Sequence, residues 1–207
     1  MLNRRGQFLL LGVLILAICL LTALATMRTP SPRVVVPHSW IYSAELVHAA
    51  RLGIVRHTRV GGNLTEHIEL FLRELYRIAE EEGLDLPPTS FNASATTDDL
   101  ISSYRVIFNN SVEIIVQWRL KMGKIVLIGK GGGAVAYRVW LLEYYHVYRA
   151  PQWGEVRIYP IIWNPDGIAE VLSLSNGNWT ILIPLGVDRA ILEDEYGVRI
   201  EVKSDGV

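Results

Sequence analysis

The sequence predicts an α+β protein in which an N-terminal transmembrane helix precedes a mostly antiparallel β-sheet or β-sandwich domain, with one or two helices packed at the start of that domain. Three observations predict it. Phe8 to Ala25 is an apolar run without a charge, residues 39–83 carry apolar side chains at helical spacing, and from Ser103 onward β-branched and aromatic segments are separated by turn pairs. Eight or so strands in sequence, with no helix between them, pair as successive antiparallel hairpins.

The apolar run comes first. At helical rise its 18 residues cover about 27 Å, close to the ~30 Å hydrocarbon core of a bilayer. The sequence divides accordingly into a basic leader at 1–6, an apolar helix at 7–27, a Pro-rich stalk at 28–38 and an extracellular α+β domain at 39–207. Thr29-Pro30-Ser31-Pro32 ends the helix, because proline lacks an amide proton and pushes its predecessor toward extended backbone. Arg4 and Arg5 precede the run, and basic residues are retained on the cytoplasmic side. Arg28 and Arg33 lie beyond its other end and weaken the asymmetry, but a short basic head before an apolar run is also how export signals begin. The expected arrangement is a single pass, with the amino terminus inside and the domain outside.

Three fates of the run are open. Ala23-Leu24-Ala25 offers a small-x-small site for a signal peptidase, while an uncleaved anchor explains the length equally well. The third fate rests on Arg4-Arg5-Gly6-Gln7, which with the apolar run resembles the class III signal peptide of archaeal type IV pilin-like proteins. The resemblance covers about the first 25 residues. It implies cleavage after Gly6, Gln7 as the first mature residue, and retention of the apolar helix. Many pilins carry a glutamate near the start of the mature helix, whereas Phe8 to Leu11 is wholly apolar here. Cys19 follows Leu16-Ala17-Ile18, a lipobox outline with a bulky residue before the cysteine, and reads as an apolar cysteine of the anchor. With no other cysteine the domain contains no disulfide and relies on its core.

Twenty basic residues against 21 acidic ones give a formal charge of −1, which argues against nucleic acid as a partner. Four Asn-x-Ser/Thr sequons start at Asn63, Asn92, Asn109 and Asn178 and account for half of the eight asparagines, which points to N-glycosylation outside the cell.

Ser39 or Ser43 is expected to cap a helix running to about His57. A second helix follows the capping pair Asn63 and Glu66, with Leu64, Ile68, Phe71, Leu72, Leu75, Ile78 and Ala79 on one face and Gly83 as its stop. Strands are expected over 103–203. The first three, 104–108, 112–120 and 124–128, form a meander turned at Asn109-Asn110 and at Lys121-Met122-Gly123. Strands at 134–149, 155–163, 170–174, 179–185 and 196–203 follow, with Asn176-Gly177 as a tight turn. Gly129-Lys130-Gly131-Gly132-Gly133-Ala134 formally fits a dinucleotide-binding turn. The stretch after it alternates like a strand rather than a helix, so it reads as a hairpin loop.

No motif of nucleophilic or metal chemistry appears. The five histidines form no His-Glu-x-x-His; His57 and His67 flank a glycine loop and could converge, though solvent-facing roles are the simpler reading. Asp98-Asp99 reads as a turn cap, with a calcium site as the alternative. Trp140, Tyr144, Tyr145, Tyr148 and Trp153 crowd one stretch and are the candidate partner-binding residues, with core filling as the alternative. No cofactor is implied. The expected function is a non-enzymatic, membrane-associated surface component, either a pilin-like or filament-assembly subunit or an adhesin or stator-like module resembling the archaellum's single-span β-domain subunits. Its partners would be membrane lipid, further copies of the chain, or surface-layer protein or glycan.

Overall fold

Ser43, Leu46, Val47, Ala50, Gly53 and Ile54 recur at three- and four-residue intervals, and the segment carrying them coils into helix α1, His38–Val60, with these residues buried along one side. The computed structural model describes residues 38–203. Helix α2, Leu64–Glu81, starts at Asn63, whose side chain accepts from the Thr65 amide at 3.0 Å, and stops at Gly83, whose φ of +70° no β-carbon opposes. Its buried stripe is Leu64, Ile68, Leu72 and Ala79, while Ile78 faces solvent. The two helices cross closely at Gly53, where an added Cβ would lie 2.5 Å from the Ile68 side chain. Ser43 caps nothing; it is buried within α1 and donates to Gln152 Oε1 at 3.1 Å.

Ten strands follow: β1 Phe91–Thr97, β2 Ile101–Phe108, β3 Val112–Lys130, β4 Gly133–Ala150, β5 Gly154–Ile158, β6 Ile162–Trp163, β7 Glu170–Ser175, β8 Asn178–Pro184, β9 Arg189–Asp194 and β10 Arg199–Lys203. All pairings are antiparallel. The larger sheet runs β1-β2-β3-β4-β8-β7 with β5 added to the far half of β4, and the smaller runs β10-β9-β6. Left-handed pairs close the hairpins at Asn109-Asn110, Gly131-Gly132 and Asn176-Gly177, the backbone that matches strand twist.

One face of the large sheet carries Tyr104, Val106, Phe108, Ile114, Val116, Trp118, Leu142, Tyr144 and Ile181, all buried in a single core with α1, α2 and the β9–β10 residues Leu192, Ile200 and Val202. The opposite face holds an ion-pair ladder in which Glu113 binds Arg105 at 2.5 Å and Arg149 at 2.6 Å. One covered and one wetted face is the usual economy of an antiparallel sheet.

Several expectations need correction. The fold class is a two-helix, antiparallel β-sheet domain, not a domain led by a membrane-spanning helix: among the described residues no helix is long and apolar enough to cross a membrane. α1 has the length, but Glu45, Arg51, Arg56 and Arg59 lie along it. The apolar run at 7–27, its junction Gly6-Gln7 and the stalk up to Pro37 lie outside the described residues. Within the sheet, Lys121-Met122-Gly123 is no turn. β3 continues through it with a bulge between Met122 and Ile125, where Gly123 lets the backbone approach Val139. The segment 155–163 is broken before Ile162 into β5 and β6, which belong to different sheets, and β1 and β9 are strands in stretches not expected to be extended.

Candidate functional site

The aromatic cluster supplies core rather than surface. Inward parity along β4 carries Trp140, Tyr144 and Tyr148 beneath the helices and the small sheet, and all three are buried. Tyr145 faces the other way and is half-buried, donating to Gln117 Oε1 at 3.1 Å with Arg157 4.9 Å above its ring. Trp153 is half-buried and meets the exposed Trp40 edge-on at 6.3 Å. The partner-binding surface expected of the five thus shrinks to Tyr145 and Trp153, which lie apart. All four sequon asparagines are exposed. Asn63 is occupied as a cap, Asn109 accepts from the Ser90 amide at 2.9 Å, Asn178 donates to the Ser175 carbonyl at 3.1 Å, and Asn92 stands on the edge strand β1.

Two polar clusters lie against the core, and they differ in how completely they are satisfied. In the first, the Tyr144 hydroxyl donates to Asp194 Oδ2 at 2.7 Å and stands 2.7 Å from His146 Nε2, which is itself 3.3 Å from the carboxylate. His146 Nδ1 is 3.0 Å from the Tyr148 hydroxyl. The other carboxylate oxygen accepts from the amides of Tyr196 and Val198 at 2.9 and 2.8 Å. A neutral imidazole with its proton on Nε2 satisfies every member. Burial, then the Asp194 charge, push the Tyr144 hydroxyl well above its ordinary value, and burial lifts Tyr148 to about 12. His146, Tyr144 and Asp194 are sealed from solvent, so this network staples β4 to β9.

The second cluster opens to solvent. A cavity of about 420 Å³ lies between the C-terminal end of α1, the β1–β2 turn, β2, β3 and the β9–β10 hairpin. Its floor is His57, Ser102, Tyr104 and Trp118, and its rim is charged. Ser102 occupies an inward position on β2, where its small side chain leaves space that Tyr104, Val106 and Phe108 fill further along the strand. The Ser102 hydroxyl, on a residue 1% exposed, and His57 Nδ1 have no hydrogen-bond partner. Buried polar atoms are normally paired, so two unpaired ones on residues that line a single cavity call for a ligand or water. Burial, then the proximity of His67, hold the His57 imidazole below its ordinary 6.5, and burial raises the Tyr104 hydroxyl.

The rim is nearly balanced in charge. Arg59 and Arg199 grip Glu193 at 2.6 and 3.0 Å, Lys203 holds Asp99 at 2.9 Å, and Arg189 stands 3.7 Å from Glu201. Asp98 caps the β1–β2 turn, accepting from the Leu100 and Ile101 amides at 2.7 and 2.5 Å, which lowers its carboxyl. His57 and His67 do converge, their rings 6.3 Å apart, but His67 Nε2 is committed to the Gly61 carbonyl at 2.8 Å. Among the described residues no three His, Cys, Asp or Glu side chains gather to hold a metal ion.

No protein family, curated protein or solved structure matches the chain. Function has to be argued from the cavity itself. His57, Asp98 and Asp99 stand out in the sequence singly, but Ser102, Tyr104 and Trp118 do not, and nothing local shows that they meet, because the lining comes from five separate segments. The available signal was the parity of β2, which puts a serine where an apolar residue belongs.

Proposed function

We propose that the chain is a non-enzymatic binding module displayed on the outer side of a membrane, and that its cavity takes a small, hydroxyl-rich ligand of the glycan class. The observation that carries this reading is the pair of unpartnered polar atoms, His57 Nδ1 and the Ser102 hydroxyl, in a cavity floored by Tyr104 and Trp118. Hydroxyl groups both donate and accept, so a sugar has the groups to answer a bare ring nitrogen and a bare serine hydroxyl. Rim cations already paired with carboxylates present donor and acceptor side by side at little net charge, which suits a neutral polar ligand better than a polyanion. Asp98 is committed to backbone amides and Asp99 to Lys203, which leaves neither poised as a general acid. The apolar run and the four exposed sequons support display outside the cell.

Titrating the purified full chain with a panel of neutral oligosaccharides, followed by tryptophan fluorescence, tests the reading. A saturable change weakened about three- to tenfold by Ser102→Ala is expected, the value of one hydrogen bond to a neutral group. Absence of any saturable ligand, or binding indifferent to Ser102→Ala and His57→Gln alike, contradicts it. The Arg4-Arg5-Gly6-Gln7 junction favours a second reading, in which the same module is carried on a pilin-like subunit. Intact-mass analysis of native protein beginning at Gln7 supports that reading, and an unprocessed amino terminus removes it.

A further inference from the structure

β3 and β4 continue well past their neighbours. β2 pairs with β3 only as far as Arg119, so from Lys121 onward β3 is an open edge, and β8 pairs with β4 only from Tyr137, so beyond the Val126–Tyr137 pair residues 127–136 form a two-stranded ribbon without a strand on either side. The Leu185 amide, bonded to the Ala136 carbonyl, reaches only its base. Such a ribbon is marginal in water, and an open edge of this length invites a partner.

Exposed apolar side chains stand on both faces of the ribbon and its base. Ile125 and Leu127 lie on the face that continues the core side of the sheet, 59% and 75% exposed, and Val126 and Val135 lie on the other, each more than a third exposed. Its charge is of one sign: Lys121, Lys124, Lys130 and Arg138 stand in or beside it, and no Asp or Glu occurs between Glu113 and Glu143. Lys130 is tied to Glu170, as is the Tyr137 hydroxyl at 3.3 Å, which fixes the ribbon to the sheet; no ion pair engages Lys121, Lys124 or Arg138 among the described residues.

We propose that this ribbon docks into an anionic lipid surface. A protein partner laid on a sheet covers one face, whereas immersion in the headgroup and acyl boundary covers both, and both present exposed apolar side chains here. The lysines before the apolar stretch stand at the level of the headgroups, where each basic side chain gains from anionic lipid. The inference is independent of the cavity: a failed sugar titration leaves it intact, and its own failure leaves the cavity reading intact.

The test uses the full chain with Cys19→Ser, labelled with an environment-sensitive fluorophore at Leu127→Cys or, as control, at the exposed Ser94→Cys on β1, and reconstituted with vesicles of anionic or neutral lipid. The expected result is a blue shift at position 127 only, with anionic lipid only, unchanged when the protein-to-lipid ratio is lowered tenfold. Lys121→Gln and Lys124→Gln should each lower the docked-to-undocked ratio about fivefold, with the tryptophan emission of the domain unchanged. A shift that grows with protein density, or one present without vesicles, assigns the ribbon to a second copy or to another part of the chain and overturns the proposal. An equal shift on neutral lipid, or no shift at all, also overturns it.

Discussion

Two histidines, 89 positions apart in the chain, mark the difference between a polar group whose hydrogen bonds are complete and one left with an unpartnered ring nitrogen. His146 is sealed from solvent, and both ring nitrogens lie within 3.0 Å of a tyrosine hydroxyl. His57 is half-buried beside an open cavity, and its Nδ1 has no hydrogen-bond partner. The low dielectric of the core strengthens a complete network and penalises an incomplete one. The first cluster therefore contributes to stability, whereas the second costs some stability until a ligand or water fills it.

The comparison is broken most strongly at Asp194. Asp194→Ala strips the acceptor from Tyr144 and from the amides of Tyr196 and Val198, all buried or partly buried, and should cost about 3–5 kcal/mol in denaturant unfolding of the full chain followed by tryptophan fluorescence. Tyr144→Phe keeps the ring and loses one shared hydroxyl, so about 1–3 kcal/mol is expected. A smaller loss at Asp194 than at Tyr144 would show that the network is not centred on the carboxylate.

Acid sharpens the contrast. Burial works to raise the Glu113 carboxyl, but the hydrogen bonds and charges of Arg105 and Arg149 outweigh it and hold the group below its ordinary 4.5. Its contribution is complete above about that value and is lost as the pH falls through the depressed folded value. Glu113→Gln should cost about 1–2 kcal/mol at neutral pH and nearly nothing in strong acid, as midpoints at pH 7 and pH 2.5 would reveal. His57, also depressed, adds no charging penalty above 6.5, and stability falls as the pH drops from 6.5 through its depressed folded value. His57→Gln should remove the part of the stability slope just below 6.5 without touching the slope below 4.5.

The smallest effect belongs to Ser102. Its hydroxyl is buried without a partner, so Ser102→Ala deletes nothing the unliganded fold uses, and the stability should stay unchanged or rise by up to about 1 kcal/mol. A loss of 2 kcal/mol or more would mean that the hydroxyl is structural and the two clusters are alike.

The two regions were unequally legible in the sequence, for physical reasons. Local chemistry announced Asn63 as a helix cap and the hairpins at Asn109-Asn110 and Asn176-Gly177, because each is settled within a few residues. Gly123 misled: glycine serves a turn and a bulge equally, and only the close approach to Val139 on the next strand separates them. β1 was invisible because Phe91–Thr97 is mostly small and polar and becomes a strand by pairing with β2. The aromatic cluster was visible, but which face of β4 would be covered depends on helices and strands far away in sequence. Neither Asp194 nor Ser102 stands in any motif. Each matters through the segments that meet it.

The most direct measurement follows the imidazole nitrogens of the full chain by 15N NMR while a neutral oligosaccharide that binds saturably is added. The Nδ1 resonance of His57 should move to a hydrogen-bonded position in proportion to occupancy, while both nitrogens of His146 stay where they are. A saturating ligand that leaves His57 unmoved, or shifts His146 as much, would contradict that expectation.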